Sequence, residues 1–144
     1  MAGNQLVVQS HLQVQTELHA LEEVLQWLET FFSPVLPERL IWDCKVLLAE
    51  GFTNAVRHAH RALSEKTPID VEVAVFPKCV EMRIWDQGQP FDLDHKLDQV
   101  KDLHIDPLAH EGKRGLIFMS KLADELRYDR TEDNRNCLLM RKKL

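Results

Sequence analysis

The sequence predicts an α+β fold, a two-layer α/β sandwich in which a mixed, mostly antiparallel sheet is covered on one face by three helices. Two periodicities and one ordering predict it. Apolar residues alternate at period 2 around residues 5–15, 69–76 and 80–85, and recur at steps of three or four in three longer segments. The segments follow one another as strand, two helices, hairpin, long polar stretch, helix and second hairpin.

From Gln5 to Gln15 the apolar residues Leu6, Val8, Leu12 and Val14 fall mostly on alternate positions, as in a half-buried strand. Leu18, Leu21, Leu25, Leu28 and Phe32 then recur at helical spacing. Residues 17–32 are therefore expected to form an amphipathic helix that buries a leucine stripe and ends at Ser33-Pro34. Pro37 suits the first turn of a second helix, where its fixed φ is already helical and its missing N–H has no partner to lose. Leu40, Ile41, Cys44, Leu47, Leu48, Phe52, Ala55 and Ala59 give that helix an apolar face reaching about His60. Ile69, Val71, Val73 and Val75 and then Val80, Met82 and Ile84 mark two strands joined by a turn at Pro77-Lys78-Cys79. The stretch from Gly88 to Glu111 carries Asp92, Asp94, Asp98, Asp102 and Asp106 and is too long for an ordinary connection, as lids are. Leu116, Met119 and Ala123 share a face of a third helix, and strands near 125–130 and 136–142 flank Glu132-Asp133-Asn134. No repeat or linker divides the chain, so a single domain over residues 1–144 is expected, with a lid at about 88–114.

A hydrophobic fraction of 44% and a charged fraction of 28% argue against disorder, and no segment approaches the roughly 20 apolar residues that span a bilayer. No membrane association is expected. Met1-Ala2-Gly3-Asn4-Gln5 has neither a basic start nor a long apolar run, so a cytoplasmic location is the default expectation. The net charge of -5 and scattered basic residues, clustered only at Arg141-Lys142-Lys143, lack the electropositive footprint of a direct nucleic-acid binder. Cys44, Cys79 and Cys137 are odd in number, far apart and set among apolar neighbours, which suits buried thiols in a reducing compartment. His11, His19, His95, His104 and His110 read as surface or lid residues, and Trp27, Trp42 and Trp85 as core or interface.

Three features could carry chemistry. Glu50, Asn54 and His58 are spaced four apart on the second helix and form one polar stripe beside Leu47, Leu48, Phe52 and Ala55. Taken alone, such a stripe is an ordinary polar edge. An Asn amide oxygen is nevertheless a suitable hard ligand for a phosphate-bound Mg²⁺, and a carboxylate one turn away can take a proton from an attacking hydroxyl. Asp86-Gln87-Gly88-Gln89-Pro90-Phe91 follows a strongly patterned strand. There an Asp can accept a hydrogen bond from an exocyclic amine and a glycine lets a flat base approach the backbone, although such a string is usually only a turn. Gly112-Lys113-Arg114-Gly115 opens a helix, whose free N–H groups and dipole favour anions. His58-Ala59-His60 invites a metal reading, but no third ligand with zinc spacing accompanies it.

In this order and on these elements the three features resemble the N, G1 and G2 boxes of the GHKL, histidine-kinase-like, ATPase superfamily. Glu50-Gly51-Phe52-Thr53-Asn54-Ala55-Val56-Arg57-His58 is the most specific match. The short chain, the His ending that string and the Asp-Gln-Gly-Gln-Pro-Phe-Asp form of the next resemble the anti-sigma regulatory factors, which are serine/threonine protein kinases. The resemblance covers nearly the whole chain. It implies a Bergerat-type ATP-binding fold, with ATP and Mg²⁺ as cofactors, and transfer of the γ-phosphate to a Ser or Thr of a STAS-type anti-anti-sigma protein. Binding of the unmodified partner takes the place of binding a sigma factor, and the family habit is a homodimer.

By the same resemblance Glu50 is the general base, Asn54 the Mg²⁺ ligand, and Asp86 the adenine reader with Gly88 beside the ring. His58 would lie near the phosphates or buttress the helix. Gly112, Lys113, Arg114 and Gly115 would close over the phosphates. Lys113 stands where many relatives have the first glycine of Gly-x-Gly, and Arg135-Asn136-Cys137 stands where they have Gly-Thr, so that Asn136 would substitute beside the adenine. The alternative expectation is a nucleotide-gated partner-binding module without kinase activity.

Overall fold

The computed structural model describes residues 5–90 and 111–144. Strand β1 (Val8–Gln15) leads to helices α1 (Ala20–Phe32) and α2 (Glu38–Asn54) and a π-helical turn (Ala55–Ala59). Then follow β2 (Pro68–Val75), β3 (Cys79–Asp86), helix α3 (Glu111–Leu122), β4 (Glu125–Arg130) and β5 (Asn136–Lys143). The strands form one sheet in the order β1-β2-β3-β5-β4. The expected α+β sandwich is present, but every pairing is antiparallel where a mixed sheet was expected. Two of the pairs are hairpins, and β1 and β5 each return antiparallel along a hairpin strand.

Alternation decides which side chains meet the helices. The register pairs Leu12 with Val71, Val73 with Met82, Met82 with Met140 and Ile84 with Leu138 on one face of the sheet. These side chains form one core with Val24, Leu28 and Phe32 of α1, Leu47, Leu48 and Phe52 of α2 and Met119 of α3. Each such aliphatic or aromatic burial contributes about 1.5–3 kcal/mol relative to exposure. Helix α2 lies so close to the sheet that a Cβ on Gly51 would sit 2.7 Å from Ile84 Cδ1, so the second helix is centred over β3 and β5.

The buried face of α1 is Ala20, Val24, Trp27, Leu28 and Phe32, rotated from the expected leucine stripe. Leu18 is exposed because the helix begins after it, and Leu21 and Leu25 are only half-buried. Trp27 turns inward because its indole N–H donates to Ser10 Oγ on β1 at 3.0 Å. Trp42 is exposed, whereas Trp85 lies on the outer sheet face beneath the Arg135 guanidinium, 5.6 Å from the ring centroid. That outer face is closed by its own ion pairs: Arg135 with Asp70 at 2.9 Å, Arg83 with Glu81 at 3.2 Å, and Arg141 with Glu81 and Glu125.

No disulfide links the three cysteines. Burial pushes the Cys44 thiol up to about 12 and Cys137 up to about 11, so both act as apolar fillers rather than nucleophiles at neutral pH. Among the described residues no helix is long and apolar enough to cross a membrane.

Candidate functional site

The C-terminal end of α2 carries the polar stripe. Glu50 and Asn54 are half-buried, one helical turn apart. Gly115 of α3 faces Glu50 closely enough that a Cβ there would lie 2.7 Å from Glu50 Oε2. The carboxylate thus rests against a glycine of the third box, and Gly112, Lys113 and Arg114 fall in the preceding turn of α3. The rest of the expected lid, residues 91–110, lies outside the described residues.

Beyond Asn54 the helix widens into its π turn, where the His60 N–H reaches back five residues to the carbonyl of Ala55 at 2.8 Å. His58 is exposed, while His60 turns inward and is only 2% exposed. Its Nδ1 lies 2.8 Å from Thr16 Oγ1, and its Nε2 accepts the backbone N–H of Gln87 at 2.7 Å. With both ring nitrogens engaged, His60 is a structural connector and not half of a metal pair. Among the described residues no cluster of three His, Cys, Asp or Glu side chains is arranged to hold a metal ion.

The second half of the site is the corner after β3. Asp86 is 5% exposed, and its Oδ1 accepts the Gly88 N–H at 3.0 Å and the Asn136 Nδ2 amide at 2.8 Å. Asn136, fully buried at the start of β5, also donates to the Gly88 carbonyl at 2.9 Å. Arg130 at the end of β4 donates to the same carbonyl at 3.2 Å and to Asn136 Oδ1 at 3.1 Å. Both of these bonds to Asp86 converge on one oxygen, Oδ1. Gly88 is pressed onto the π turn: a Cβ there would lie 2.1 Å from the Ala59 carbonyl oxygen. No described glycine has a positive φ, so close approach, not backbone conformation, demands a glycine at this position.

The structure therefore brings together Glu50 with Gly115, and Asp86 with Gly88 and Asn136, while His58 is exposed on the π turn. Sequence reasoning missed His60, Thr16 and Arg130. Two of them left a signal: Thr16 continues the inward parity of Leu12 and Val14, and Arg130 that of Leu126 and Tyr128. Nothing in the sequence announces the π turn that buries His60.

The oxygen-rich donor set suits a nucleotide with its Mg²⁺. A phosphate-bound Mg²⁺ takes one or two protein oxygens and the rest from phosphates and water, so the Asn54 amide would be a sufficient protein share. The buried Asp86 carboxylate is held by an amide and a backbone N–H, and a carboxylate so fixed could accept from a base.

The model of the histidine kinase-like ATPase domain matches residues 14–142. Serine-protein kinase RsbW of Bacillus licheniformis is 34% identical over 90 residues, covering 60% of this chain and 55% of that protein. The Bacillus subtilis protein of the same name is 33% identical over 90 residues, covering 60% of this chain and 56% of its own. The chain thus spans a little over half the length of these curated relatives. Among solved structures, the RsbU and RsbW domains of Rv1364c from Mycobacterium tuberculosis superpose with a TM-score of 0.67 at 18% identity, covering 96% of this chain and 33% of that one, a likeness of fold. The family resemblance carried by Glu50–His58, Asp86–Gly88 and Gly112–Gly115 is borne out, and this chain belongs to the histidine kinase-like ATPase domain family.

Proposed function

We propose that the chain is an ATP-dependent anti-sigma-factor serine/threonine kinase that phosphorylates a STAS-type anti-anti-sigma protein and sequesters a sigma factor. It would act as a cytoplasmic homodimer, each copy a single domain with a lid at about 88–114. The observation that carries this reading is the apposition of Glu50 to Gly115, with Asp86 buried in the neighbouring corner. The serine-protein kinase names of the similar proteins support it.

In this reading Asn54 holds Mg²⁺, which neutralises charge on the phosphates. Asp86 Oδ2 accepts the exocyclic amine of adenine. Free backbone N–H groups in the first turn of α3, with Lys113 and Arg114, receive the phosphate oxygens. Glu50 takes the proton of the partner's Ser or Thr hydroxyl as that oxygen bonds to the γ-phosphorus. The bond from the γ-phosphorus to the bridging oxygen of ADP breaks, and ADP leaves with that electron pair. A positioned base of this kind is worth about 10²–10⁴-fold.

The test is transfer of labelled γ-phosphate to a purified anti-anti-sigma protein. Wild-type protein should transfer and Glu50→Gln should fall by about 10²–10⁴-fold with Mg-ATP affinity retained. Equal inertness of the two overturns the kinase claim. One observation favours a second reading, a nucleotide-gated binding module: Asn136 and Arg130 fill the corner where relatives carry Gly-Thr. Mg-ATP binding without turnover by any partner would support that reading.

A further inference from the structure

His60 joins the two halves of the site, and the hydrogen bonds around it fix its protonation. A ring nitrogen that accepts an N–H carries no proton, so the bond from Gln87 to Nε2 places the single proton of the neutral ring on Nδ1. Nδ1–H then donates to Thr16 Oγ1 at 2.8 Å, and that hydroxyl donates to the Thr67 carbonyl at 2.7 Å. Only this tautomer satisfies all three bonds. A doubly protonated ring would set a second N–H against that of Gln87.

The bonds run between separate parts of the chain. Thr16 follows β1, Thr67 precedes β2, His60 closes the π turn, and Gln87 lies between Asp86 and Gly88. Beside this bond Gly88 rests on the Ala59 backbone, so residues 59 and 60 meet residues 87 and 88 side by side. Glu50 and Asn54 ride on the helix that ends at His60, and Asp86 lies at the mouth of the loop it grips. The spacing between the two sets of groups is therefore determined at this contact.

Resting on the nucleotide reading above, we propose that His60, as the neutral Nδ1–H tautomer, is a positioning residue that holds the Asp86–Gly88 loop in register with the Glu50/Asn54 helix for ATP binding. Burial of the ring favours the neutral form over the opposing pull of the Asp86 carboxylate.

The experiment has a spectroscopic arm and a binding arm. Long-range proton–nitrogen correlation spectra of the wild-type ring at neutral pH should show a proton on Nδ1 and none on Nε2. Calorimetric titration with Mg-ATP should give a dissociation constant raised about tenfold in His60→Leu, which fills the space but accepts no bond, a ratio equivalent to ~1.4 kcal/mol. His60→Gln, whose amide oxygen accepts from Gln87, should stay within about threefold of wild type, the loop bond being worth about one ordinary hydrogen bond. Thr16→Val, which leaves the loop bond but removes the partner of Nδ1–H, serves if His60→Leu does not fold, and should weaken binding as well. A proton found on Nε2, or a folded His60→Leu that binds as wild type does, overturns the proposal. If wild-type protein binds no Mg-ATP, the nucleotide reading fails and so does the role in ATP binding. The ring spectrum still shows in that case whether the His60 contact itself exists.

Discussion

Replacing Gly88 by alanine puts a methyl carbon 2.1 Å from the Ala59 carbonyl oxygen and 2.7 Å from its carbonyl carbon. Both are backbone atoms of the π turn, so no flexible side chain can step aside and either the turn or the loop must move. Overpacking of this kind costs about 1–3 kcal/mol. If the loop moves, the Gly88 carbonyl also loosens its bonds from Asn136 and Arg130, and the Gly88 N–H its bond to Asp86. Loss of even one of these adds about 1 kcal/mol, giving a total of roughly 2–4 kcal/mol. For a chain of this length each kcal/mol lowers Tm by about 2–4 °C, so a fall of roughly 5–15 °C is expected. Because Gly88 has no positive φ, none of this arises from backbone strain, and Gly88→Ser should behave as Gly88→Ala does. Thermal unfolding followed by circular dichroism, with Mg-ATP titrated in parallel, measures both stability and the loop's proposed nucleotide contact. A Gly88→Ala protein that melts within about 2 °C of wild type and binds Mg-ATP equally would refute the close approach itself.

Asn136→Ala removes a fully buried amide that serves Asp86, Gly88 and Arg130, and leaving these partners short should cost about 1–3 kcal/mol in urea unfolding and weaken ATP binding. Asn54→Ala should weaken ATP binding about tenfold or more in the presence of Mg²⁺ and little in its absence, since in the proposed reading the lost group is a metal ligand; equal loss in both conditions contradicts that role. The His60 pKa lies below its ordinary 6.5 because burial outweighs the nearby Asp86 charge. Between the folded and unfolded values the unfolded chain binds more protons. Stability from this group is therefore complete above about 6.5 and is lost as pH falls toward the folded pKa. Urea unfolding from pH 8 to 5 should show this slope in wild type and a shallower one in His60→Gln.

The π turn divides what could be read from the chain from what could not. Up to Asn54 the helical period is strict, and the stripe of Glu50 and Asn54 stands where that period puts it. After Asn54 the chain leaves the α-helical count for a five-residue turn that buries His60 and leaves His58 exposed. What stabilises that choice is the Gln87 N–H and the Gly88 backbone, which approach from 27 residues further along the chain. The face of α1 shifted for a similar reason: Trp27 found a partner in Ser10, so Leu21 and Leu25 gave up the deepest positions.

By itself the sequence determined the strands and helices, most of their boundaries, the two-layer class and the strings at Glu50–His58, Asp86–Gly88 and Gly112–Gly115. Burying one face imposes a period on the residues of each element, and that period is written locally. Tertiary structure alone decided that the sheet is antiparallel throughout, that Asn136 and Arg130 support the Asp86 corner, and that His60 is buried against the Gln87 N–H. A period says which face of an element is buried but not which distant polar group will lie opposite. A buried donor or acceptor must find a partner wherever the packed fold supplies one.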